Sequence, residues 1–181
     1  MIKPFEFYFD FVSPYSFLAH KEIKKIEKKA AIKISYKPIL LGGLHNLHGI
    51  KAPAFIPAKA KHMIRDCKLI SERNNIKFKF NSYFPIKSLN LMRGVLVAEE
   101  DNLKSYYIDN IFNTIWQDGL NMNDEIIIQK VLKNINVNPK TFLLRSTSSS
   151  IKESLRKQTN EAYEKGIFGA PTFVSNNKIF W

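Results

Sequence analysis

Ser13 and Ser16 occupy the first and fourth places of Ser13-Pro14-Tyr15-Ser16, directly after the aromatic run Phe5-Glu6-Phe7-Tyr8-Phe9-Asp10-Phe11. The run reads as a strand. Proline suits the first position of a helix, where its missing N–H leaves no bond unmade and its φ is already helical. Ser13 then falls at the cap, where a side-chain oxygen accepts a free N–H of the first turn. A strand, a sharp turn and a helix opening on proline aim one hydroxyl past the helix end. The unbonded N–H groups and the positive end of the helix dipole there would lower the pKa of a thiol held against Ser13. Neither serine is a thiol, so any thiol held there would come from a ligand. The plain alternative is a capping serine with no chemistry, as serine before proline commonly is.

Other reactive side chains make weaker cases. A single cysteine, Cys67, excludes an internal disulfide framework and a two-cysteine redox cycle within one chain. It lies in the helical-looking stretch Lys61-His62-Met63-Ile64-Arg65-Asp66-Cys67, where a lone cysteine behaves as a small buried hydrophobe. His45 and His48 stand three apart, a spacing metals use, but no Cys, Asp or Glu clusters with them. They read as loop residues and no metal is expected; His20 and His62 read as helix-surface residues. Arg93, in Leu91-Met92-Arg93-Gly94, suits either a substrate carboxylate or a structural ion pair. No Gly-x-Ser-x-Gly elbow surrounds Ser13 and no histidine is tied to it by motif, which argues against a serine hydrolase. Trp116, Tyr107 and Phe112 fall on helical spacing and read as core.

The elements that must hold these groups are legible in outline. After the first strand, a helix runs from Pro14 to about Ala30 and residues 32–39 resemble a second strand ending in Leu40-Leu41-Gly42-Gly43, a β-α-β start. From about Leu44 the texture changes. Pro53 and Pro57 punctuate a loop, residues 59–74 read as helix and residues 75–85 as an extended link. Helices then follow with starts at Ser88, Asn102, Asn123-Asp124 and Asn138-Pro139. Ser150-Ile151-Lys152-Glu153 has capping-box spacing and launches a helix ending near Gly166. Two short strands joined by Asn176-Asn177 close the chain. Strands at both ends with helices between them imply a split α/β domain carrying a helical insertion.

At 181 residues one compact unit is expected. The net charge of +12 invites a nucleic-acid reading. Its lysines are spread along nearly the whole chain, without the aromatic-basic signature of an RNA-binding sheet, so no nucleic-acid partner is expected. The densest cluster, residues 21–29, reads as the solvated face of a helix. No apolar run approaches a membrane span and no signal-peptide pattern opens the chain, so no membrane association and a cytoplasmic location are expected.

Phe7-Tyr8-Phe9-Asp10-Phe11-Val12-Ser13-Pro14-Tyr15-Ser16-Phe17-Leu18-Ala19, Leu40-Leu41-Gly42-Gly43 and Gly166-Ile167-Phe168-Gly169-Ala170-Pro171-Thr172-Phe173 together resemble the 2-hydroxychromene-2-carboxylate isomerases. These group with kappa-class glutathione transferases in the DsbA-like branch of the thioredoxin fold. The similarity runs in order from about Ile2 to Trp181; the two motif ends are specific, and the helical middle matches mainly in length and pattern. Thioredoxin-like oxidoreductases carry cysteine at the first and fourth places of the turn, Cys-Pro-Tyr-Cys in glutaredoxins. Serine at both argues against disulfide chemistry.

The resemblance implies an α/β, thioredoxin-like fold with an all-helical insertion. Residues 1–43 and 166–181 would form the split thioredoxin-like domain, and residues 44–165 the insertion, its last helix returning to the sheet. It implies glutathione as cofactor, with Ser13 on its sulfur, a cis bond before Pro171, and the Ala170 backbone pairing with the cysteinyl backbone like an added strand. Lys59, in Ile56-Pro57-Ala58-Lys59, falls where the family places a lysine near the ligand; otherwise it is a solvated helix lysine. Family members continue past the final strand with Gly-x-Asp-Arg, whose Asp helps hold the γ-glutamyl end, and a last helix. The sequence stops at Trp181, so that helix is expected to be absent, with a longer chain or another element supplying its role. The implied function is a glutathione-dependent isomerase or kappa-like transferase acting on an unsaturated 2-oxo acid or other electrophile. One hydroxyl bonded to a thiolate at a helix end would lower its pKa by roughly one to two units. The competing reading is a redox-inactive DsbA-like binding protein whose helical insertion presents a partner surface. A homodimer rests on the resemblance alone.

Overall fold

The computed structural model describes residues 5–30 and 32–181. Along β1 (Glu6–Phe9) successive side chains point to opposite faces. Phe7 and Phe9 are fully buried in the main core, while Tyr8 packs on the other side with Ile39, Leu44, Ala162, Ile167 and Val174. The chain then turns into α1 (Pro14–Ala30) and returns as β2 (Ser35–Pro38), parallel to β1. From the far end of the chain, β3 (Thr172–Ser175) lies antiparallel on the other edge of β1, and β4 (Lys178–Phe180) completes the order β2-β1-β3-β4. Asn176 and Asn177 turn the hairpin at φ of 49° and 62°, the left-handed pair that such a turn demands and asparagine tolerates. The β-α-β start and the closing hairpin match the reading of the sequence.

Between β2 and β3 the regular elements are helical: α2 (Leu41–Leu47), a 3-10 turn at Pro53–Phe55, α3 (Pro57–Arg73), α4 (Leu89–Glu100), α5 (Lys104–Trp116), α6 (Glu125–Asn134), α7 (Pro139–Ser146) and α8 (Ser149–Glu164). Several boundaries depart from expectation. The Leu40-Leu41-Gly42-Gly43 stretch begins a helix, because burial of Leu44 outweighs the poor helix propensity of two glycines. His45 therefore sits on α2 and His48 at its C-cap, neither in a loop. Ser88 makes no capping bond. Asn102 does not open α5; at φ 58° it ends α4 in a left-handed turn. Ser148 caps α8, accepting from the Ile151 N–H at 3.4 Å, whereas Ser150 is already helical and Glu153 pairs with Arg156. Asp124 and Asn138 cap α6 and α7 as read.

One continuous core joins the sheet face of Phe7 and Phe9 to the helices through Phe11, Phe17, Phe112, Tyr107 and Trp116. Cys67 is fully buried within it. Burial, reinforced by the Asp66 charge, pushes its thiol up to about 12, so it is inert at neutral pH. No helix among the described residues is long and apolar enough to cross a membrane.

His20 is not a surface residue. It is 1% exposed, on the same buried face of α1 as Phe17 and Ile23, with its ring over Phe112. Nε2 lies 2.7 Å from Asp109 Oδ1 and Nδ1 2.7 Å from the Tyr36 hydroxyl. A carboxylate only accepts, so Nε2 carries the proton and Nδ1 accepts from Tyr36. Burial holds the imidazole below its ordinary pKa, although Asp109 pulls upward. With the folded value below the unfolded one, the neutral ring favours folding above about pH 6.5, and that contribution is lost as pH falls through the folded value. Urea denaturation between pH 7 and 5 is therefore expected to show stability falling with acid. His20→Gln should remove a part of that slope of up to about 1.4 kcal/mol per pH unit. Identical slopes in the two proteins would contradict the assignment.

Candidate functional site

The turn between β1 and α1 is held from three directions before Ser13 is reached. Asp10 is fully buried, accepting from the Val12 N–H at 3.0 Å and from the Leu41 N–H at 2.8 Å. Burial pushes its carboxyl pKa up, opposed by those two donors and Ser88. The Phe11 N–H meets Met92 Sδ of α4 at 3.4 Å, and the Phe11 carbonyl accepts from the Trp116 indole N–H of α5 at 2.8 Å. Sheet, α2, α4 and α5 thus share in placing the residues that lead into the motif. No local pattern in the sequence marks Met92 or Trp116 for this role, and for Asp10 the one signal is a lone acid inside Phe9-Asp10-Phe11.

Ser13 is the cap of α1. It is 5% exposed; its carbonyl accepts from the Phe17 N–H at 3.2 Å and its Oγ from the Ser16 N–H at 3.1 Å. The same hydroxyl donates to the Ala170 carbonyl at 3.0 Å, across 157 residues of sequence. One oxygen therefore caps the helix and reaches the loop at the far end of the chain. The Ala170-Pro171 bond is cis, as expected, and Phe84-Pro85 is cis as well. The loop carrying Ala170 is braced by the Thr172 hydroxyl, which donates to the Gly169 carbonyl at 2.7 Å, and by His48, whose Nε2 lies 2.9 Å from the Ile167 carbonyl. A Cβ at Gly169 would lie 2.8 Å from the indole nitrogen of the exposed Trp181, which would have to shift.

Ser16, the fourth residue of the motif, is fully buried and its hydroxyl has no partner among the described residues. A buried orphan hydroxyl is costly, and here it lies one turn from Ser13, on the residue whose N–H Ser13 caps. Chemically this group of atoms suits a thiol bearing an amide backbone: a hydroxyl proton and a helix N-terminus for the sulfur, and a half-buried carbonyl at Ala170 for an N–H.

The remaining candidates lie around this centre or away from it. Tyr15, between the two serines, donates to Asp66 of α3 at 2.7 Å, and burial followed by that carboxylate pushes its phenol well above its usual range. Lys59 is exposed in the first turn of the same helix, and no contact ties it to Ser13. Arg93 is half-buried on α4. Its guanidinium donates to Asn90 at 3.2 Å, its Nε is buried without a partner, and it joins no ion pair among the described residues. His62 is exposed, and no cluster of metal-ligating residues occurs among the described residues. A polar cavity of about 240 Å³ opens elsewhere, lined by Tyr8, Tyr36, Lys37, Lys104 and Lys165 together with Glu6, Glu99 and Glu161. Ser13, Ala170 and Pro171 do not line it, and its charges are balanced.

A family model described as a DSBA-like thioredoxin domain matches residues 5–181. A 2-hydroxychromene-2-carboxylate isomerase of Sphingobium xenophagum is 24% identical over 183 residues, covering 100% of this chain and 93% of the relative. Glutathione S-transferase kappa 1 of Caenorhabditis elegans is 26% identical over 175 residues, covering 92% of this chain and 77% of the relative. A solved 2-hydroxychromene-2-carboxylate isomerase superposes with a TM-score of 0.89 at 23% identity, over 98% of this chain and 87% of that structure.

Proposed function

The chain belongs to the DSBA-like thioredoxin domain family, and from that premise we propose that it is a glutathione-dependent isomerase of the 2-hydroxychromene-2-carboxylate type or a kappa-like glutathione transferase. The observation that carries the reading is the Ser13 hydroxyl, 3.0 Å from the Ala170 carbonyl at the amino end of α1. Relatives bearing both enzyme names support it along nearly the whole chain. Bound glutathione would supply a thiolate able to add reversibly to an unsaturated 2-oxo acid, whose double bond becomes free to rotate before elimination.

The protein's own residues would bind, orient and stabilise. Ser13 donates its proton to the sulfur as a hydrogen bond and is not a covalent nucleophile. The dipole of α1 favours the thiolate over the thiol. Ala170, just ahead of β3, would offer its carbonyl to an incoming backbone N–H as an added strand does. Arg93, with unused guanidinium donors, is assigned to a substrate carboxylate, and Lys59 to a carboxylate on the ligand. We place the protein in the cytoplasm, with small-molecule partners.

A second reading, a binding protein of the DsbA-like family without redox chemistry, fits the serines at positions 13 and 16 equally well. Calorimetry with glutathione separates the two. The enzyme reading expects saturable heat for the whole chain and conversion of 2-hydroxychromene-2-carboxylate only when glutathione is added. Absence of heat at millimolar glutathione would overturn it.

A further inference from the structure

The polar cavity of about 240 Å³ lies between α8 and the β1-β2 pair and has no part in the proposed function. Gln158, Glu161 and Lys165 stand three and four positions apart along α8 and its C-cap, so one helix face brings all three to its wall. Gln158 makes no hydrogen bond among the described residues, and its Oε1 is buried without a partner. A buried acceptor lacking a donor is costly, and a donor carried by a ligand would remove that cost. Glu161 is the acceptor next to it on the same face. Its one ionic contact among the described residues is Lys157, at 4.0 Å, which leaves the carboxylate open to a second cation.

The lysines of the lining supply the opposite chemistry. Lys165 donates to the Tyr8 hydroxyl at 2.7 Å and to Glu6 at 3.2 Å. Lys104 donates to the Tyr36 carbonyl at 2.9 Å and to Glu99 at 2.8 Å. An ammonium has three protons, so each of these lysines keeps one free. Lys37 lies 3.7 Å from Glu6, beyond hydrogen-bond reach. The lining therefore holds unsatisfied acceptors at Gln158 and Glu161 and unsatisfied donors at Lys37, Lys104 and Lys165. Three lysines face three glutamates around the cavity, so a ligand with net charge would unbalance it and a zwitterion would not.

We propose that this cavity binds a free α-amino acid with a small polar side chain. The ammonium is taken by Gln158 Oε1 and Glu161, and the carboxylate by the free lysine protons. Ser35 on the wall offers a hydroxyl to the side chain. The volume suits a ligand of this size, below that of sites for drug-sized molecules. Ser13, Ala170 and Pro171 do not line the cavity, so it is a second site, independent of the proposed function.

The test titrates the full chain with L-serine, L-asparagine and L-glutamine while its amide NMR signals are followed. N-acetyl-L-serine, which lacks the ammonium, and L-serinamide, which lacks the carboxylate, remove the two charges one at a time. At least one of the three amino acids is expected to saturate with a Kd of about 1 mM, shifting Ser35, Lys37, Gln158 and Lys165. Each masked form should bind about tenfold more weakly than L-serine. Gln158→Leu removes the acceptor and should weaken amino-acid binding about tenfold without lowering Tm, whereas Gln158→Glu, which keeps an acceptor, should retain it. No saturation by any of the three at roughly tenfold that concentration would leave Gln158 to water and overturn the site. Shifts confined to the Ser13 turn, equal binding of L-serine and N-acetyl-L-serine, or unchanged affinity in Gln158→Leu would overturn it as well.

Discussion

Replacing Ser13 with alanine is expected to lower glutathione-dependent kcat/KM by about 10- to 100-fold, the loss of one hydrogen bond to a charged sulfur. The mutation also removes the acceptor of the Ser16 N–H at 3.1 Å, so a capping loss of about 1 kcal/mol in stability accompanies it. Ser13→Thr separates the two effects, because it keeps a hydroxyl that caps and donates. The threonine protein is expected to recover most of the stability and a substantial part of the activity. An alanine variant retaining full activity while losing only stability would reduce Ser13 to a cap. Ser16→Ala makes a useful contrast: its hydroxyl makes no bond in the protein as described, so its removal should not lower stability.

The largest loss of stability is expected at Trp116, far from the motif in sequence. Its ring is fully buried, stacked on Phe78 and edge-on to Phe80, and its N–H holds the Phe11 carbonyl two residues before Ser13. Trp116→Ala removes a large aromatic from a packed core and should cost about 4 kcal/mol, lowering Tm by roughly 10 °C. Trp116→Phe keeps most of the packing but leaves the Phe11 carbonyl without its donor, and should cost about 1 to 2 kcal/mol. Urea denaturation measures both. Because the same bond positions the turn, the phenylalanine variant is also expected to weaken glutathione binding, whereas a purely structural tryptophan would leave binding unchanged.

How much of this was legible in the sequence depended on whether the signal was local. The Ser13-Pro14 helix start, the Asn176-Asn177 hairpin and the caps at Asp124 and Asn138 were all readable, because each is fixed by a few neighbouring residues. The misreadings share the opposite property. Nothing beside Leu41-Gly42-Gly43 reports that Leu44 will be buried against the far side of the sheet, yet that burial makes the stretch a helix. His20 sits next to a lysine-rich run, and only its register with Phe17 and Ile23 hinted at the buried pair with Asp109 and Tyr36. Asn102 sits at positive φ and Ser150 is already helical, so neither caps; the extended Ser148 caps α8, and Leu103 precedes α5 without a capping side chain.

The candidate site divided in the same way. Its two halves were visible as motifs, but no local pattern could show that the hydroxyl of one half is bonded to the carbonyl of the other. Asp10, Met92 and Trp116, which fix the approach to Ser13, act through contacts spanning 31, 81 and 105 positions. Distances of that kind emerge only once the chain is folded.

The central claim is that Ser13 and the end of α1 stabilise a thiolate supplied by a ligand. Ultraviolet titration of protein-bound glutathione tests it most directly. The account predicts an apparent thiol pKa of about 7, compared with roughly 8.5 for an unperturbed cysteine thiol, returning towards the unperturbed value in Ser13→Ala. A bound thiol with an unperturbed or raised pKa in the wild-type protein would contradict it.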